Sequence, residues 1–190
     1  MSKITVCRES GHRNNKYCPT VDTIYSHKKG QLSDACPYHQ LIHLDPTKKY
    51  RVNSQCEDIQ EIVHEPWLVL PPVQAYYYRS KTSHYKSLPP FRLDCKNQYA
   101  ELRSMQIIYP GNKARLFIPR ELDGAPGSVV FEVAHERSNT EIFWHLNEKF
   151  IASTVRTHQI AIHPDPGVHK LTLIDQYGEI LEHKFEVVNN

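Results

Sequence analysis

Five cysteines, Cys7, Cys18, Cys36, Cys56 and Cys95, and one close-spaced pair, Cys36-x-x-His39, are the residues of this chain best suited to chemistry. Zinc takes four nitrogen or sulfur ligands in a tetrahedron, commonly supplied by close-spaced pairs. Cys36 and His39 with Cys18 and Cys56 could make such a set. Only that pair is present and no Cys-x-x-Cys occurs, so the spacing is a weak metal signal. The same cysteines could pair as disulfides in an exported protein or stay as buried thiols, and residue types alone leave the compartment open.

Acyl transfer through a serine nucleophile needs Ser-x-x-Lys, which sets a lysine one helical turn from the hydroxyl it helps deprotonate. Ser26-His-Lys-Lys29 and Ser83-His-Tyr-Lys86 both match it, but matches this short arise by chance. The accompanying Ser-x-Asn is missing, and Lys81-Thr82 is followed by Ser83 where a glycine is required. His-Glu-x-x-His, the helical zinc-hydrolase pattern, is also missing. His163-Pro164-Asp165 and His169 lie beside turn signals, and His135-Glu136-Arg137 reads as a solvated strand end. No catalytic residue, cofactor site or metal site is therefore assigned. Trp67, Tyr76, Tyr77, Tyr78 and Tyr85 could offer an aromatic platform to sugar rings. Their plainer role is to anchor an irregular segment with hydroxyls at the rim, and that role is preferred.

The elements that hold these residues follow from composition and periodicity. The chain has 190 residues, 39% hydrophobic and 23% charged, which suits one large or two small globular domains. A net charge of +2 gives no basic stripe for nucleic acid, and no run nears the length of a membrane span. Met1–Cys7 lacks the apolar core of a signal peptide, and a cysteine so near the start suggests that the natural chain extends upstream.

Texture changes near residue 95. Residues 1–95 hold all five cysteines and most of the prolines, with short, broken apolar runs. A hairpin is predicted from Leu41–Asp45 and Tyr50–Asn53, a strand at Trp67–Leu70, and a short helix after Pro71-Pro72. Residues 96–190 read as about eight strands separated by turn signals every 8–12 residues, the pattern of an antiparallel, Ig-like β-sandwich. Val129, Phe131 and Val133 alternate with Val130, Glu132 and Ala134, and Leu181, Phe185 and Val187 share a face opposite Glu182, Lys184 and Glu186. The core is predicted to contain Ile107, Phe117, Phe131, Val133, Trp144, Ile162, Leu171, Leu173, Phe185 and Val187, without an Ig-type disulfide. A turn is expected over Asp123–Gly127. The fold class is mainly β: a sandwich over 96–190 behind a Cys/Pro-rich tail over 1–95.

Several ordered motifs go further. Val6-Cys7-Arg-Glu-Ser10-Gly11, Cys18-Pro19 and Asp34-Ala-Cys36-Pro37-Tyr38-His39 are followed by Trp67-Leu-Val-Leu-Pro71-Pro72, Tyr76-Tyr77-Tyr78, Leu88-Pro89-Pro90-Phe91 and Asp94-Cys95. Ile107-Ile-Tyr-Pro110, Phe143-Trp144-His-Leu-Asn147, Pro166-Gly167-Val168-His169 and Leu173-Ile-Asp175-Gln-Tyr-Gly178 complete the series. In this order they resemble the C-terminal end of class A penicillin-binding proteins of the 1C type, as found in Bacteroidetes-like bacteria. The resemblance implies an inner-membrane-anchored parent with glycosyltransferase and transpeptidase domains upstream, a periplasmic location and a part in peptidoglycan assembly. The fragment itself would stabilise the parent and bind partners: the upstream transpeptidase domain, an envelope protein such as an alpha-2-macroglobulin-like protein, or peptidoglycan through its aromatics. Nucleic acid and direct membrane insertion are not expected.

A periplasmic location favours disulfides. Cys36 and Cys56 flank the predicted hairpin, and Cys7 and Cys18 flank the Ser10–Asn15 loop. Cys7–Cys18 and Cys36–Cys56 are therefore the expected bridges, each closing a loop of roughly ten to twenty residues and contributing about 3 kcal/mol, with Cys95 left over.

Overall fold

A computed structural model describes residues 1–27, 29, 32–95, 103–119 and 127–188. The chain divides into two compact units, one of Met1–Leu70 with Leu88–Tyr99 and one of Pro71–Ser87 with Ala100–Asn190. The architecture is mainly β, as expected, with one short helix.

The first unit contains two small antiparallel ladders. β1 (Ser2–Cys7) pairs along its whole length with β2 (Val21–Ser26). β3 (His39–Leu44) pairs with β4 (Val63–Leu68), setting His39 opposite Leu68 and Leu44 opposite Val63. Apart from cysteines, the buried apolar side chains here are aliphatic: Val6, Ile42, Leu44, Val52, Val69 and Leu88. Polar contacts fix the connections. Asp45 accepts hydrogen bonds from the backbone N–H groups of Lys49 and Tyr50, both at 2.9 Å, and Lys48 takes a positive φ inside that turn. The turn predicted around Pro46–Lys49 thus forms. A short hairpin forms around it: Leu44 bridges Arg51, and the N–H groups of Asp45 and Val52 donate to the carbonyls of Tyr50 and His43, both at 3.0 Å, while the longer ladder of β3 goes to β4.

In the second unit, α1 (Pro72–Lys81) starts with proline at its first position, where a missing N–H costs nothing, and places Arg79 and Lys81 in its last turn. It buries Pro72 and Ala75 and packs on β5 (Met105–Tyr109) and β7 (Val129–His135). Arg79 and Ser87 both donate to the carbonyl of Glu136, which ties the segment to the end of β7. Residues 71–87, read above as tail, therefore belong with the sandwich.

The remaining strands are β6 (Arg115–Phe117), β8 (Glu141–Leu146), β9 (Lys149–Val155), β10 (Gln159–Ile162), β11 (Gly167–Asp175) and β12 (Ile180–Val188). One sheet runs β10-β7-β5 and the other β6-β12-β11-β8-β9. All strand pairings in these two sheets are antiparallel except the short pairing of β12 with β6, which is parallel. The two sheets share one core. Met105, Val129, Phe131, Val133 and Ile162 come from the first; Ile142, Trp144, Leu171, Leu173, Leu181, Phe185 and Val187 come from the second.

The alternation in β7, β8 and β12 predicted these core positions well. Ile107 is half-buried against the core, and Phe117 is a correction at 53% exposure. Leu116 and Ile118 pack inward instead. Strand β6 is only three residues long at a sheet edge, so its apolar run carries no face information. Most of the turn expected over Asp123–Gly127 lies outside the described residues. Gly127 itself approaches the backbone of Pro119 so closely that a Cβ would sit 2.2 Å from its carbonyl oxygen.

Candidate functional site

Three thiols and one imidazole converge in the first unit. Cys7 ends β1, and its carbonyl accepts the N–H of Gly11 at 2.8 Å, in a turn that Gly11 permits at a φ of +71°. Cys18 closes a turn built on Asn15, whose side-chain oxygen accepts from the N–H of Tyr17 at 2.7 Å. Cys36 and His39 enter β3 from the other side. The Arg13–Ala35 bridge and a 2.7 Å hydrogen bond from the N–H of Cys36 to the carbonyl of Arg13 hold them against the loop. Asn15 completes the join by donating to the carbonyls of Cys36 at 2.7 Å and His39 at 2.8 Å.

The four donor atoms of Cys7, Cys18, Cys36 and His39 all lie within 4.8 Å of one another. His39 Nδ1 is 3.4 Å from the Cys7 sulfur and 3.5 Å from the Cys36 sulfur. Its Nε2 is 2.8 Å from Glu9 Oε2. With Nε2–H donated to that carboxylate, Nδ1 presents its lone pair to the sulfurs. Cys7, Cys36 and His39 are buried and Cys18 is half-buried.

The thiols are not equivalent. Burial pushes Cys18 up to about 11, against a backbone hydrogen bond from Asn15. Burial also opposes ionisation of Cys36, but the Ser10 hydroxyl at 3.2 Å, the His39 contacts and the N–H of Tyr38 outweigh it and bring that thiol down to about 6.

This geometry corrects the expected disulfides. Cys7, Cys18 and Cys36 are free, and Cys56 bonds Cys95 across a Cα–Cα distance of 5.2 Å. The cause is the path of residues 88–95. Arg51 and Phe91 form a parallel bridge, Arg92 N–H donates to the Arg51 carbonyl at 3.0 Å, and the Arg92 guanidinium holds the Cys56 carbonyl and Glu57. That path lays Cys95 on the Cys56 turn, while the Arg13 and Asn15 contacts hold Cys36 beside Cys7. The four residues weighed from sequence, Cys18, Cys36, His39 and Cys56, differ from this cluster at one position, where Cys7 stands in place of Cys56. The β1–β2 ladder, which brings Cys7 in, has no apolar face to announce it.

The aromatic candidates do not assemble in one unit. Trp67 is half-buried on β4 of the first. Tyr76 and Tyr77 lie on α1 of the second, edge to face at 5.3 Å, with Tyr77 half exposed. Tyr85 meets Tyr78 edge on at 5.7 Å.

One buried polar cluster in the second unit was also misread. His135 and Glu136 are buried, not solvated. His135 Nε2 is 3.2 Å from Asp175 Oδ2, and Arg137 reaches the same oxygen at 3.2 Å while stacking over Tyr177 at 4.6 Å. Asp175 Oδ1 accepts the N–H groups of Tyr177 and Glu179 at 2.9 and 2.8 Å. Burial raises the Asp175 carboxyl, but His135, the Glu179 N–H and Arg137 pull it below the usual carboxylate range. The dyad resembles a base and its orienting acid, yet Asp175 holds the 175–179 turn and His135 Nδ1 meets the Arg137 backbone. His163 and His169 are not brought together: His163 meets the Gly127 carbonyl at 3.1 Å, and His169 meets the Asp165 carbonyl at 2.6 Å.

Comparison with known proteins bears on the second unit. Residues 96–185 match the profile of the Penicillin-Binding Protein C-terminus Family. No curated protein matches the chain.

Proposed function

Since residues 96–185 belong to the penicillin-binding protein C-terminus family, we propose that the chain is the non-catalytic C-terminal end of a periplasmic peptidoglycan synthase of the 1C type. There it stabilises the parent enzyme and contacts partners in cell-wall assembly. Family membership of the two-sheet unit is the observation that carries this reading. The same membership supports an extracytoplasmic, cell-wall location. Among the described residues, no helix is long and apolar enough to cross a membrane. The strand order supports an Ig-like class: β10-β7-β5 faces β6-β12-β11-β8-β9, and a buried Trp144 lies on the strand after β7.

A contact role draws support from the surface. β9 is the outer strand of its sheet, paired with β8, and carries Phe150 and Val155 about half exposed. An outer strand with apolar side chains is suited to a partner protein. The upstream transpeptidase domain and an envelope protein of the alpha-2-macroglobulin kind are the partners proposed.

The test is affinity capture from envelope extracts with the full-length parent, its deletion of 96–190, and Phe150→Asp/Val155→Asp. Loss of specific partners in the deletion and the double variant is expected; unchanged recovery in the deletion overturns the reading. Peptidoglycan binding through Tyr77 is the competing reading, favoured by that ring's exposure. Co-sedimentation with purified sacculi that is lost in Tyr77→Ala would transfer the assignment to it.

A further inference from the structure

We propose that Cys7, Cys18, Cys36 and His39 bind one zinc ion as a closed structural site that clips the first unit together. Three sulfurs and one imidazole nitrogen form a donor set that zinc takes up in structural sites, with all four positions filled by protein. The distances fit. Zinc–sulfur bonds near 2.3 Å and zinc–nitrogen bonds near 2.0–2.1 Å at tetrahedral angles put sulfur and nitrogen about 3.5 Å apart. His39 Nδ1 stands 3.4 and 3.5 Å from the sulfurs of Cys7 and Cys36.

A second feature points the same way. Glu9 takes the far nitrogen of His39 at 2.8 Å, so the near nitrogen faces the sulfurs without a proton. This carboxylate–histidine arrangement orients imidazole ligands in zinc proteins. The Ser10 hydroxyl at 3.2 Å from Cys36 and the Asn15 N–H at 3.4 Å from Cys18 add hydrogen bonds of the kind that stabilise metal-bound thiolates. Three thiols this close in an oxidising compartment would tend to couple in pairs; a metal keeps all three reduced. The other acidic and cysteine group, Cys56, Asp94 and Cys95, is no rival, since its sulfurs are joined to each other.

The clip has a defined mechanical effect. It fastens the end of β1, the Asn15 turn and the entrance to β3, three segments that share few large apolar side chains. With no open coordination position, it has no place for a substrate and does not activate water.

The experiment takes the full chain, exported to the periplasm of an expression host and purified without chelators. Zinc per chain is measured by mass spectrometry, thiols are counted before and after denaturation, and bridges are mapped on peptides. One zinc, three thiols protected until denaturation and a lone Cys56–Cys95 bridge are expected. Cobalt substitution should give the intense visible bands of a tetrahedral thiolate site. Cys36→Ser and His39→Ala should lose the metal, while His39→Cys should retain it with a cobalt spectrum shifted toward four sulfurs. Glu9→Gln, a positioning change, should weaken zinc in chelator competition by roughly 10–100-fold. Cys56→Ser/Cys95→Ser should keep one zinc, which separates metal loss from misfolding. A bridge between any two of Cys7, Cys18 and Cys36, iron in place of zinc, or full zinc retention in Cys36→Ser overturns the proposal. So do three free thiols that take up no added zinc. None of these outcomes depends on the parent enzyme's identity or partners.

Discussion

The two units of this chain are held together by different means. The second buries Trp144, Phe131 and Phe185 among nine further apolar side chains in one shared core. The first buries no phenylalanine, tyrosine or tryptophan among its described residues and relies on aliphatic side chains, one disulfide, a thiol–imidazole cluster and side chains that hold backbone turns. A small region with little core needs such pins, because apolar burial alone does not offset the entropy of ordering it. A two-sheet sandwich can do without them, and this one has no cysteine between its sheets, where many Ig-type domains carry a bridge. The chain's two tryptophans are divided between the units, Trp67 in the first and Trp144 in the second, so each can report separately.

The largest effect should come from the core. Phe131 is fully buried and lies 4.9 Å from Phe185, centroid to centroid. Phe131→Ala is expected to cost the second unit about 4 kcal/mol. Denaturant titration followed by Trp144 fluorescence in a Trp67→Phe background measures it. The same substitution followed by Trp67, with Trp144→Phe, should leave the first unit's midpoint in place. A shift of both reporters together would mean that one cooperative transition covers the chain and that the contrast between the units has no energetic content.

The complementary break is covalent. Cys56 and Cys95 are 39 residues apart, so their bridge closes a loop worth about 4 kcal/mol in the chain-entropy account. Cys56→Ser/Cys95→Ser should lower the first unit by somewhat less than that, since Arg92 still ties Glu57 and Asp94 together. Trp67 fluorescence reads the loss, and Trp144 should not register it. An unchanged Trp67 midpoint would remove the bridge from the list of what holds the first unit.

The same division explains which parts of the fold were legible in sequence. In β12 the alternation of Leu181, His183, Phe185 and Val187 with Glu182, Lys184 and Glu186 states both period and face, and the structure follows it residue by residue. Trp144 reads as core for the same reason. Sandwich strands disclose themselves because burial on one face imposes the pattern. The first unit has no such imposition. Strand β1, Ser2–Cys7, has a half-exposed ladder partner and shows no clean apolar face, so the element that delivers Cys7 was missed. Loop proximity favoured Cys36–Cys56, whereas the pairing of β3 with residues 63–68 and the path of 88–95 decided otherwise. Asp175 was legible only as a turn residue. Its partner His135 lies 40 residues earlier, and no local pattern reports that contact.

Acid should sharpen the contrast, because the second unit's weak point is polar. His158 is buried, and burial, followed by the charges of His135 and Arg79, pushes it down to about 4. Its ring accepts or donates at Thr154 Oγ1, 3.0 Å away, and that oxygen also accepts from Trp144 Nε1 at 2.8 Å. In the unfolded chain a histidine takes up its proton near 6.5. Between about 6.5 and 4 the unfolded state therefore binds more protons than the folded one, and stability falls as the pH falls. Above that window His158 is neutral in both states and has no effect; below it both are charged and the loss levels off. The full loss from this residue is roughly 3 kcal/mol. Burial lowers His183 as well, which adds to the slope with the same sign. His158→Gln keeps a hydrogen-bonding group beside Thr154 without the titration. Its midpoint, read by Trp144 between pH 7 and 4, should fall less steeply than the parent's. Equal slopes in the two proteins would show that the acid sensitivity of the sandwich lies elsewhere than in the chain running from Trp144 through Thr154 to His158.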